Sequence, residues 1–289
     1  MVFERDSARD LERRPAASDA PAVLTNVRAE RIRAVAALGR RSTRERQGLF
    51  VAEGPQSVRE AVAWRPGDVR EVFADPDGQE RHGDILAAAR EAGIPVRATS
   101  PQVLAAMCDT TTPQGLLAVC RRVDVPLEEI LAAGPRLLVV LTNVRDPGNA
   151  GTVIRGADAA GADAVIIGSS SVDTYNPKVV RSAVGSHFHV PMALGVDIPD
   201  LLGRLREQGI ATYAADGSGS RTLYDVDLHA PHAWVMGNEA WGLPEDLLAR
   251  CDEAVAVPIY GKAESLNLAM AATVCLFASG RARHEASPV

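Results

Sequence analysis

The sequence lacks the features typical of membrane-spanning, secreted and metal-stabilised proteins. Its longest apolar stretch, 268–278, is far shorter than the roughly 20 residues that a transmembrane helix needs. The first 23 residues are rich in Arg, Asp and Glu and contain no apolar signal core. The four cysteines are too widely spaced for a zinc template or a small disulfide scaffold. We therefore expect a cytoplasmic protein with no membrane segment and no metal site.

Lysine is also scarce, so arginine carries nearly all of the positive charge. The formal net charge is −6, which by itself does not favour binding to nucleic acid. Residues 28–46, however, contain seven arginines and only two glutamates. A guanidinium group matches the oxygens of a phosphate, so this segment is a candidate RNA-binding surface. Its candidate phosphate ligands are Arg40, Arg41, Arg44 and Arg46. The alternative is the solvated face of a helix that buries Ile32, Val35, Ala36 and Leu38.

Alternating strand and helix patterns predict two α/β units. Residues 1–23 are polar and predict a disordered leader. Predicted strands at 49–52, 69–74, 96–98 and 114–122, with helices between them, indicate a compact α/β domain over 24–123. Residues 124–135 are the predicted linker. Over 136–289, predicted strands at 137–141, 164–167, 212–215, 233–236 and 254–259 indicate a mostly parallel sheet with helices on both faces.

Three loops, each directly after a predicted strand, carry the polar and glycine residues that a site needs. They span 143–151, 235–244 and 257–267. Ligands of open α/β sheets bind beyond the carboxyl ends of the strands, so these loops form the candidate site. Each loop also has a purely structural interpretation. Asn149 and Ser265 are candidate helix caps, and Glu239 is a candidate partner for the dipole of the next helix.

In this order and spacing, the three loops resemble the three motifs of the SpoU/TrmH family of RNA ribose 2′-O-methyltransferases, within the SPOUT superfamily. The resemblance spans about 136–284 and includes the segment 176–185. The first half is similar to the small substrate-binding domain of this family, which is itself similar to ribosomal RNA-binding proteins of the kink-turn type. The resemblance implies an α/β C-terminal domain with a deep trefoil knot, working as a homodimer whose active site is completed across the interface.

The resemblance also implies a cofactor and a set of site residues. S-adenosylmethionine is the expected methyl donor, bound in a pocket of the second and third loops against the backbone at Gly237, Val257 and Leu266. The implied catalytic residues are Asn149, Arg155, Glu239, Ser265 and Asn267. No metal is part of this chemistry. Lys178 and Arg181 are further candidate ligands of RNA phosphate, with a surface salt bridge as the alternative.

The chemistry explains these residue types. A ribose hydroxyl is a poor nucleophile and must lose its proton as it attacks the methyl group. The family proposal makes Arg155 the general base, but a guanidinium is normally always protonated. Stabilisation of the developing alkoxide by Arg155, with water taking the proton, agrees better with its chemistry. Asn149, Ser265 and Asn267 would orient the ribose and Arg155, and Glu239 would place negative charge near the sulfonium.

Three positions depart from the commoner family pattern. Gly156 replaces a hydroxyl residue after Arg155, Val257 replaces isoleucine, and Tyr260 replaces a smaller residue. The departure at Tyr260 puts the choice of target in doubt. His187 and His189 alternate around Phe188 as in a strand, and we assign them no function.

The first interpretation is therefore methyl transfer from S-adenosylmethionine to a ribose 2′-hydroxyl of structured RNA, with ribosomal RNA preferred to tRNA and with no DNA substrate. The alternatives are a tRNA methyltransferase and a catalytically silent RNA-binding protein that keeps the knot. A nucleotide-dependent oxidoreductase is disfavoured, because the three-glycine spacing of a dinucleotide-binding turn is absent.

Overall fold

The computed structural model of the chain describes residues 23–238 and 240–285, which form two β-sheets. The predictions for residues 1–22, for Glu239 and for residues 286–289 lie outside this part of the chain. Among the described residues, no helix is sufficiently long and apolar to cross a lipid bilayer.

The described part of the first half forms a mixed four-stranded sheet. Its strands are β1 (Leu49–Glu53), β2 (Val69–Ala74), β3 (Val96–Ala98) and β4 (Leu116–Arg121), in the order β1-β4-β2-β3. Strands β1 and β2 each pair antiparallel with β4, and β2 pairs parallel with β3. All four predicted strands of this half are therefore present.

Helices cover this sheet, and two of them begin at a side-chain cap. They are α1 (Glu30–Ala36), α2 (Arg41–Gln47), α3 (Pro55–Trp64), α4 (Pro76–Arg81), α5 (Gly83–Glu91) and α6 (Pro101–Met107). Ser100 caps α6 by accepting the N–H of Val103 at 3.3 Å. Helix α4 is an addition to the predicted pattern, and Asp75 caps it by accepting the N–H of Gly78 at 2.8 Å.

The described part of the second half forms a seven-stranded sheet in which every pairing is parallel. Its strands are β5 (Leu137–Leu141), β6 (Ala164–Gly168), β7 (Met192–Val196), β8 (Ala211–Ala215), β9 (Arg221–Thr222), β10 (His232–Met236) and β11 (Glu253–Ala256). Their order is β7-β6-β5-β10-β8-β11-β9. Every residue of β5, β6 and β10 is buried. The predicted parallel sheet, covered on both faces, is confirmed.

The helices of this half are α7 (Leu127–Ala132), α8 (Pro147–Ala159), α9 (Pro177–Ala183), α10 (Ile198–Glu207), α11 (Glu245–Leu248) and α12 (Leu268–Glu285). Two local predictions are wrong. The strand predicted over 254–259 ends at Ala256, because Pro258 has no N–H for a sheet hydrogen bond. The strand-like pattern around Phe188 lies instead in a 3-10 turn, Ser186–Phe188. His187 in this turn is buried, and burial lowers its pKa to about 4.

One continuous apolar core joins the two halves. Phe50 of β1 packs against Tyr175 and Phe188, with ring centroids 4.7 and 5.9 Å away. The Tyr175 hydroxyl accepts the backbone N–H groups of Val123 and Asp124, each at 2.8 Å, and donates to the Asp124 carboxylate at 2.9 Å. Burial and the neighbouring Asp124 raise the pKa of Tyr175 far above its usual value. The phenol therefore stays neutral and links the first half to the second.

Arg44 strengthens this junction, and its prediction as a phosphate ligand is wrong. The residue is 3% exposed. Its Nη1 donates to the carbonyls of Leu38 and Gly39 at 2.7 and 2.8 Å, and its Nη2 pairs with Asp173 at 2.5 Å. Because these hydrogen bonds and this ion pair hold the guanidinium inside the protein, the group cannot reach RNA. The other three arginines, Arg40, Arg41 and Arg46, are exposed, and Arg41 pairs with Glu45.

The Arg44 assignment predicts a large effect on stability. Arg44→Ala should lower the free energy of unfolding by about 3 kcal/mol, because it leaves buried carbonyls and Asp173 without a partner. Arg46→Ala on the same helix should change it by less than about 0.5 kcal/mol, since that side chain is exposed. Urea denaturation followed by circular dichroism measures both. Equal unfolding midpoints for the two variants would contradict the assignment.

Candidate functional site

The three candidate loops leave the same edge of the parallel sheet. Strands β5, β10, β8 and β11 are consecutive neighbours, and parallel strands end at one edge. The first loop follows β5 and leads into α8, the second follows β10, and the third connects β11 to α12. The sheet therefore brings together segments that are more than 100 residues apart in the sequence.

A buried asparagine joins the first loop to the second. Asn238 is 7% exposed, and its Nδ2 donates to the backbone carbonyl of Asn143 at 2.8 Å. Nearby, the Arg145 guanidinium carbon lies 5.8 Å from the centre of the Trp241 ring, within the range of a cation–π contact. Trp241 is 56% exposed, so this pair presents an aromatic surface beside the site.

The second loop turns back on itself immediately after β10. Asn238 and Gly242 exchange two backbone hydrogen bonds, of 2.8 and 3.0 Å. A Cβ on Gly237 would lie 2.3 Å from the carbonyl carbon of Gly242, so any other residue at 237 would force the loop open. This close approach is a structural reason for glycine at the position predicted to contact the cofactor. Glu239 lies within this loop and outside the described residues.

The first loop ends in a capped helix, and the cap is not the one predicted. Asp146 precedes α8 and accepts the N–H of Asn149 at 2.8 Å. The structural interpretation of Asn149 as the cap is therefore wrong. The Asn149 side-chain oxygen instead accepts a hydrogen bond from Nδ2 of Asn267 in the third loop, at 3.0 Å.

The side-chain amide of Asn267 makes two sets of hydrogen bonds. Its side-chain oxygen accepts the N–H groups of Ala269 and Met270, at 2.9 and 3.4 Å, which caps α12. Its amide nitrogen binds Asn149 at the same time. The interpretation of Ser265 as the cap of α12 is therefore wrong, and Ser265 is an exposed residue of the third loop. The structure thus brings Asn149 and Asn267 into contact and leaves Ser265 two residues away in the chain.

Arg155 lies on α8, about 9 Å along the axis from Asn149. Its side chain is exposed and forms no ion pair or hydrogen bond with any other described residue. The following residue, Gly156, lies against α12. A Cβ there would be 3.2 Å from the Thr273 hydroxyl oxygen, tighter than most packing contacts. Gly156 therefore allows α8 and α12 to approach closely.

The other predicted cofactor contacts lie in the third loop. Val257 and Leu266, near its two ends, are half-buried, whereas Tyr260 near its middle is 86% exposed. The described residues contain no group of three or more His, Cys, Asp or Glu side chains that could hold a metal ion.

The two candidate phosphate ligands on α9 have protein partners. Arg181 donates to Asp109 at 2.9 Å and to Glu53 at 3.4 Å, both in the first half. Lys178 lies 3.7 Å from Asp146. The salt-bridge alternative therefore describes both residues. The half-buried Arg181 joins the two halves, and its role in phosphate binding stays a prediction.

Four residues that organise the loops were missing from the sequence predictions: Asn143, Arg145, Asn238 and Trp241. Asn238 had a detectable signal, because a polar side chain directly after a buried strand needs a partner. No sequence signal indicated the contact between Arg145 and Trp241, since these residues are 96 positions apart in the sequence.

The two roles of Asn267 predict a difference from Ser265. Asn267→Ala should destabilise the protein by about 1 kcal/mol through loss of the α12 cap. Ser265→Ala should change stability by less than about 0.5 kcal/mol, since Ser265 is exposed. Urea unfolding curves of the two variants provide the comparison, and a larger loss for Ser265→Ala would show that the cap is wrongly assigned.

The sequence resembles two family profiles and several known proteins. The SpoU rRNA Methylase family matches residues 136–277, and the MRM3-like substrate binding domain matches residues 29–118. The Bacillus subtilis 23S rRNA (guanosine(2553)-2′-O)-methyltransferase RlmP is 36% identical over 234 residues, which cover 81% of this chain and 89% of the relative. The Bordetella pertussis 23S rRNA (guanosine-2′-O-)-methyltransferase RlmB is 32% identical over 81% of this chain and 97% of the relative.

Solved structures agree with these sequence matches. The AdoMet-bound rRNA methyltransferase from Sinorhizobium meliloti superposes with a TM-score of 0.78 and 29% identity, covering 90% of this chain and 97% of the other. The SpoU methyltransferase AviRb from Streptomyces viridochromogenes, in complex with AdoMet, gives a TM-score of 0.76 and 30% identity, covering 89% of this chain and 100% of the other. Over both halves, in sequence and in fold, this chain belongs to the SpoU rRNA methylase family.

Proposed function

We propose that this protein transfers a methyl group from S-adenosylmethionine to a ribose 2′-hydroxyl of ribosomal RNA. The observation that carries the proposal is the hydrogen bond between Asn149 and Asn267, which joins the first and third loops at the edge of the sheet. Relatives that match most of the chain are named 23S rRNA 2′-O-methyltransferases. Their names favour ribosomal RNA over tRNA as the substrate.

The second and third loops suit S-adenosylmethionine as the methyl donor. Gly237 lets the backbone of Gly242 approach closely, which fixes the shape of the turn after β10 where the pocket is proposed. Val257 and Leu266 offer half-buried apolar surface on the third loop. When bound, the cofactor supplies an electrophilic methyl group on a sulfonium. Glu239, between Gly237 and Gly242, would add negative charge near that cation.

The remaining residues act on the ribose. Arg155 has a permanently charged guanidinium without a protein partner among the described residues, so it can stabilise the alkoxide oxygen and hold the adjoining phosphate. Because this group does not give up its proton, water accepts the proton of the 2′-hydroxyl. Asn149, Ser265 and Asn267 provide neutral hydrogen bonds that orient the ribose. The Asn149–Asn267 contact holds these amides in position before RNA binds.

The proposal also assigns the domain boundaries, the knot and the phosphate contacts. Residues 24–123 are assigned as a substrate-binding domain similar to ribosomal RNA-binding proteins, 124–135 as the linker and 136–289 as the methyltransferase domain. The deep trefoil knot of the family is assigned to the second domain. It is supported by the return of the third loop to Asn149 and by the packing of α12 against α8. Three exposed arginines of the first domain, Arg40, Arg41 and Arg46, are the proposed phosphate contacts.

A homodimer is part of the proposal and is supported by the surface of α12. Met270, Val274 and Phe277 are 59%, 38% and 51% exposed, and they recur at helical spacing along one side of the helix. Such an apolar stripe is typical of a protein–protein interface. Since α12 packs against α8, which carries Arg155, a second copy on this surface would complete the site.

The role of Arg155 is tested by two substitutions. Arg155→Ala should lower kcat by about 10²- to 10³-fold, because the alkoxide loses its positive partner. Arg155→Lys keeps the positive charge but loses the planar, two-pronged donor geometry of the guanidinium. Its kcat should lie between those of the wild type and Arg155→Ala. Neither should change the Kd for S-adenosylmethionine, measured by isothermal titration calorimetry. Loss of cofactor affinity in a folded Arg155→Ala protein would contradict the role assigned.

The dimer is tested by placing a charge in the stripe. Phe277→Glu should raise the dimer dissociation constant at least about thirtyfold, measured by sedimentation equilibrium, because the carboxylate must be desolvated. Trp64→Glu is the matched control, since Trp64 is an aromatic residue of the first half that is 65% exposed. A wild-type protein that sediments as a monomer at micromolar concentration would refute the dimer.

A further inference from the structure

A cavity between the two halves has no part in the reaction proposed above. It encloses about 320 Å³, within the range of ligand-binding cavities. Its walls come from the end of β1, the first turn of α3, the chain between α6 and β4, and α9. The cavity is therefore bounded by both of the proposed domains.

Ser57 contributes a polar group to this cavity. The residue is 3% exposed and lines the cavity, and its hydroxyl makes no hydrogen bond to any other described residue. This hydroxyl can donate a hydrogen bond to a ligand in the cavity or accept one from it. Gln114, whose side chain is exposed, places an amide at the rim that has no hydrogen bond to another described residue.

The charged groups of the cavity argue against an anionic ligand. The Glu53 carboxylate, with its side chain 4% exposed, accepts the N–H groups of Asp109 and Thr110 at 2.5 and 3.3 Å. The Arg181 guanidinium lies 3.4 Å from this carboxylate and balances its negative charge. It also forms an ion pair with Asp109. Glu53 in the wall and Asp109 outside the lining share this one guanidinium, and the net negative charge disfavours phosphate. A neutral ligand that carries N–H donors fits these groups.

The remaining walls are apolar. Pro113, Leu116 and Val184 line the cavity beside Cys108. Burial and the neighbouring Glu53 raise the pKa of the Cys108 thiol to about 12, so it stays neutral and acts as a small apolar group. Apolar walls with hydrogen-bonding groups at one side suit a flat heteroaromatic ring.

Val184 adds backbone strain at the same place. It ends α9 with φ +51°, a left-handed conformation that a β-branched residue rarely adopts. Strain of this kind is concentrated at functional sites. Helix α9 also packs closely on α8, because a Cβ on Gly151 would lie 2.5 Å from the carbonyl oxygen of Val179. The cavity is thus held at a fixed position relative to the helix that carries Arg155.

We propose that this cavity binds one unpaired nucleobase of the RNA substrate, an inference that rests on the proposed function. The ring packs against Val184 and Leu116, while Ser57 and Gln114 hydrogen-bond to its edge and Glu53 accepts an N–H. Proteins commonly recognise bases of single-stranded RNA loops by such contacts. The base enters between the two domains, so its recognition selects which ribose reaches α8.

Two variants of the full chain test this binding site. Ser57→Leu fills the cavity and should raise the Kd for deproteinised ribosomal RNA about tenfold in filter binding. Gln114→Leu, at an exposed position that tolerates substitution, should raise it several-fold even if Ser57→Leu does not fold. Thr99→Val is the control, because it removes the hydroxyl of a buried residue of the same half that lies outside the cavity lining. Its RNA affinity should equal that of the wild type.

Methyl transfer and cofactor binding are measured on the same proteins, so that the two proposals can fail separately. The expected result is a raised Kd for RNA with an unchanged Kd for S-adenosylmethionine. Wild-type RNA affinity in folded Ser57→Leu, or in Gln114→Leu if the first does not fold, would overturn the cavity proposal. Wild-type protein that binds no RNA would overturn it too. A raised Kd in a protein that transfers no methyl group would overturn the proposed function alone.

Discussion

The side chain of Asn267 connects the two parts of the chain on which the site depends. Its oxygen caps α12, and its Nδ2 donates to Asn149 on α8, 118 positions earlier in the sequence. An amide can do both because it carries a donor and an acceptor on one rigid group. Helix α8 also carries Arg155, and α12 carries the exposed apolar stripe. Asn267 therefore connects the helix with the proposed catalytic arginine to the helix with the proposed dimer surface.

The junction between the two halves provides a second constraint. Arg44, Tyr175 and Arg181 each bind polar groups across it, and the aromatic rings around Phe50 fill the space between them. Buried ion pairs add little to stability compared with apolar packing, but they specify one arrangement because a shifted partner leaves a charge unpaired. A first half held in this way would present the proposed RNA-binding surface at a defined distance from α8.

Much of the fold could be predicted from the sequence, because buried strands and helix starts leave local patterns. The apolar run of β5 and the Ser100-Pro101 pair are examples, and both are found. The errors concern choices that only tertiary contacts decide. Arg44 lies among exposed arginines with the same local signal, and only Asp173, 129 residues away, shows that it is buried. The capping roles of Asp146 and Asn267 were missed because Asn149 and Ser265 are equally good capping types nearby.

The central claim is methylation of a ribose in ribosomal RNA, and one measurement addresses it directly. Purified protein and tritiated S-adenosylmethionine are incubated with ribosomal RNA from a host that lacks the gene, and the product is digested with alkali and mapped. A 2′-O-methyl group protects the following phosphodiester bond, so the account predicts label in one alkali-resistant dinucleotide. Label in mononucleotides, or its absence from RNA despite cofactor binding, would contradict the account.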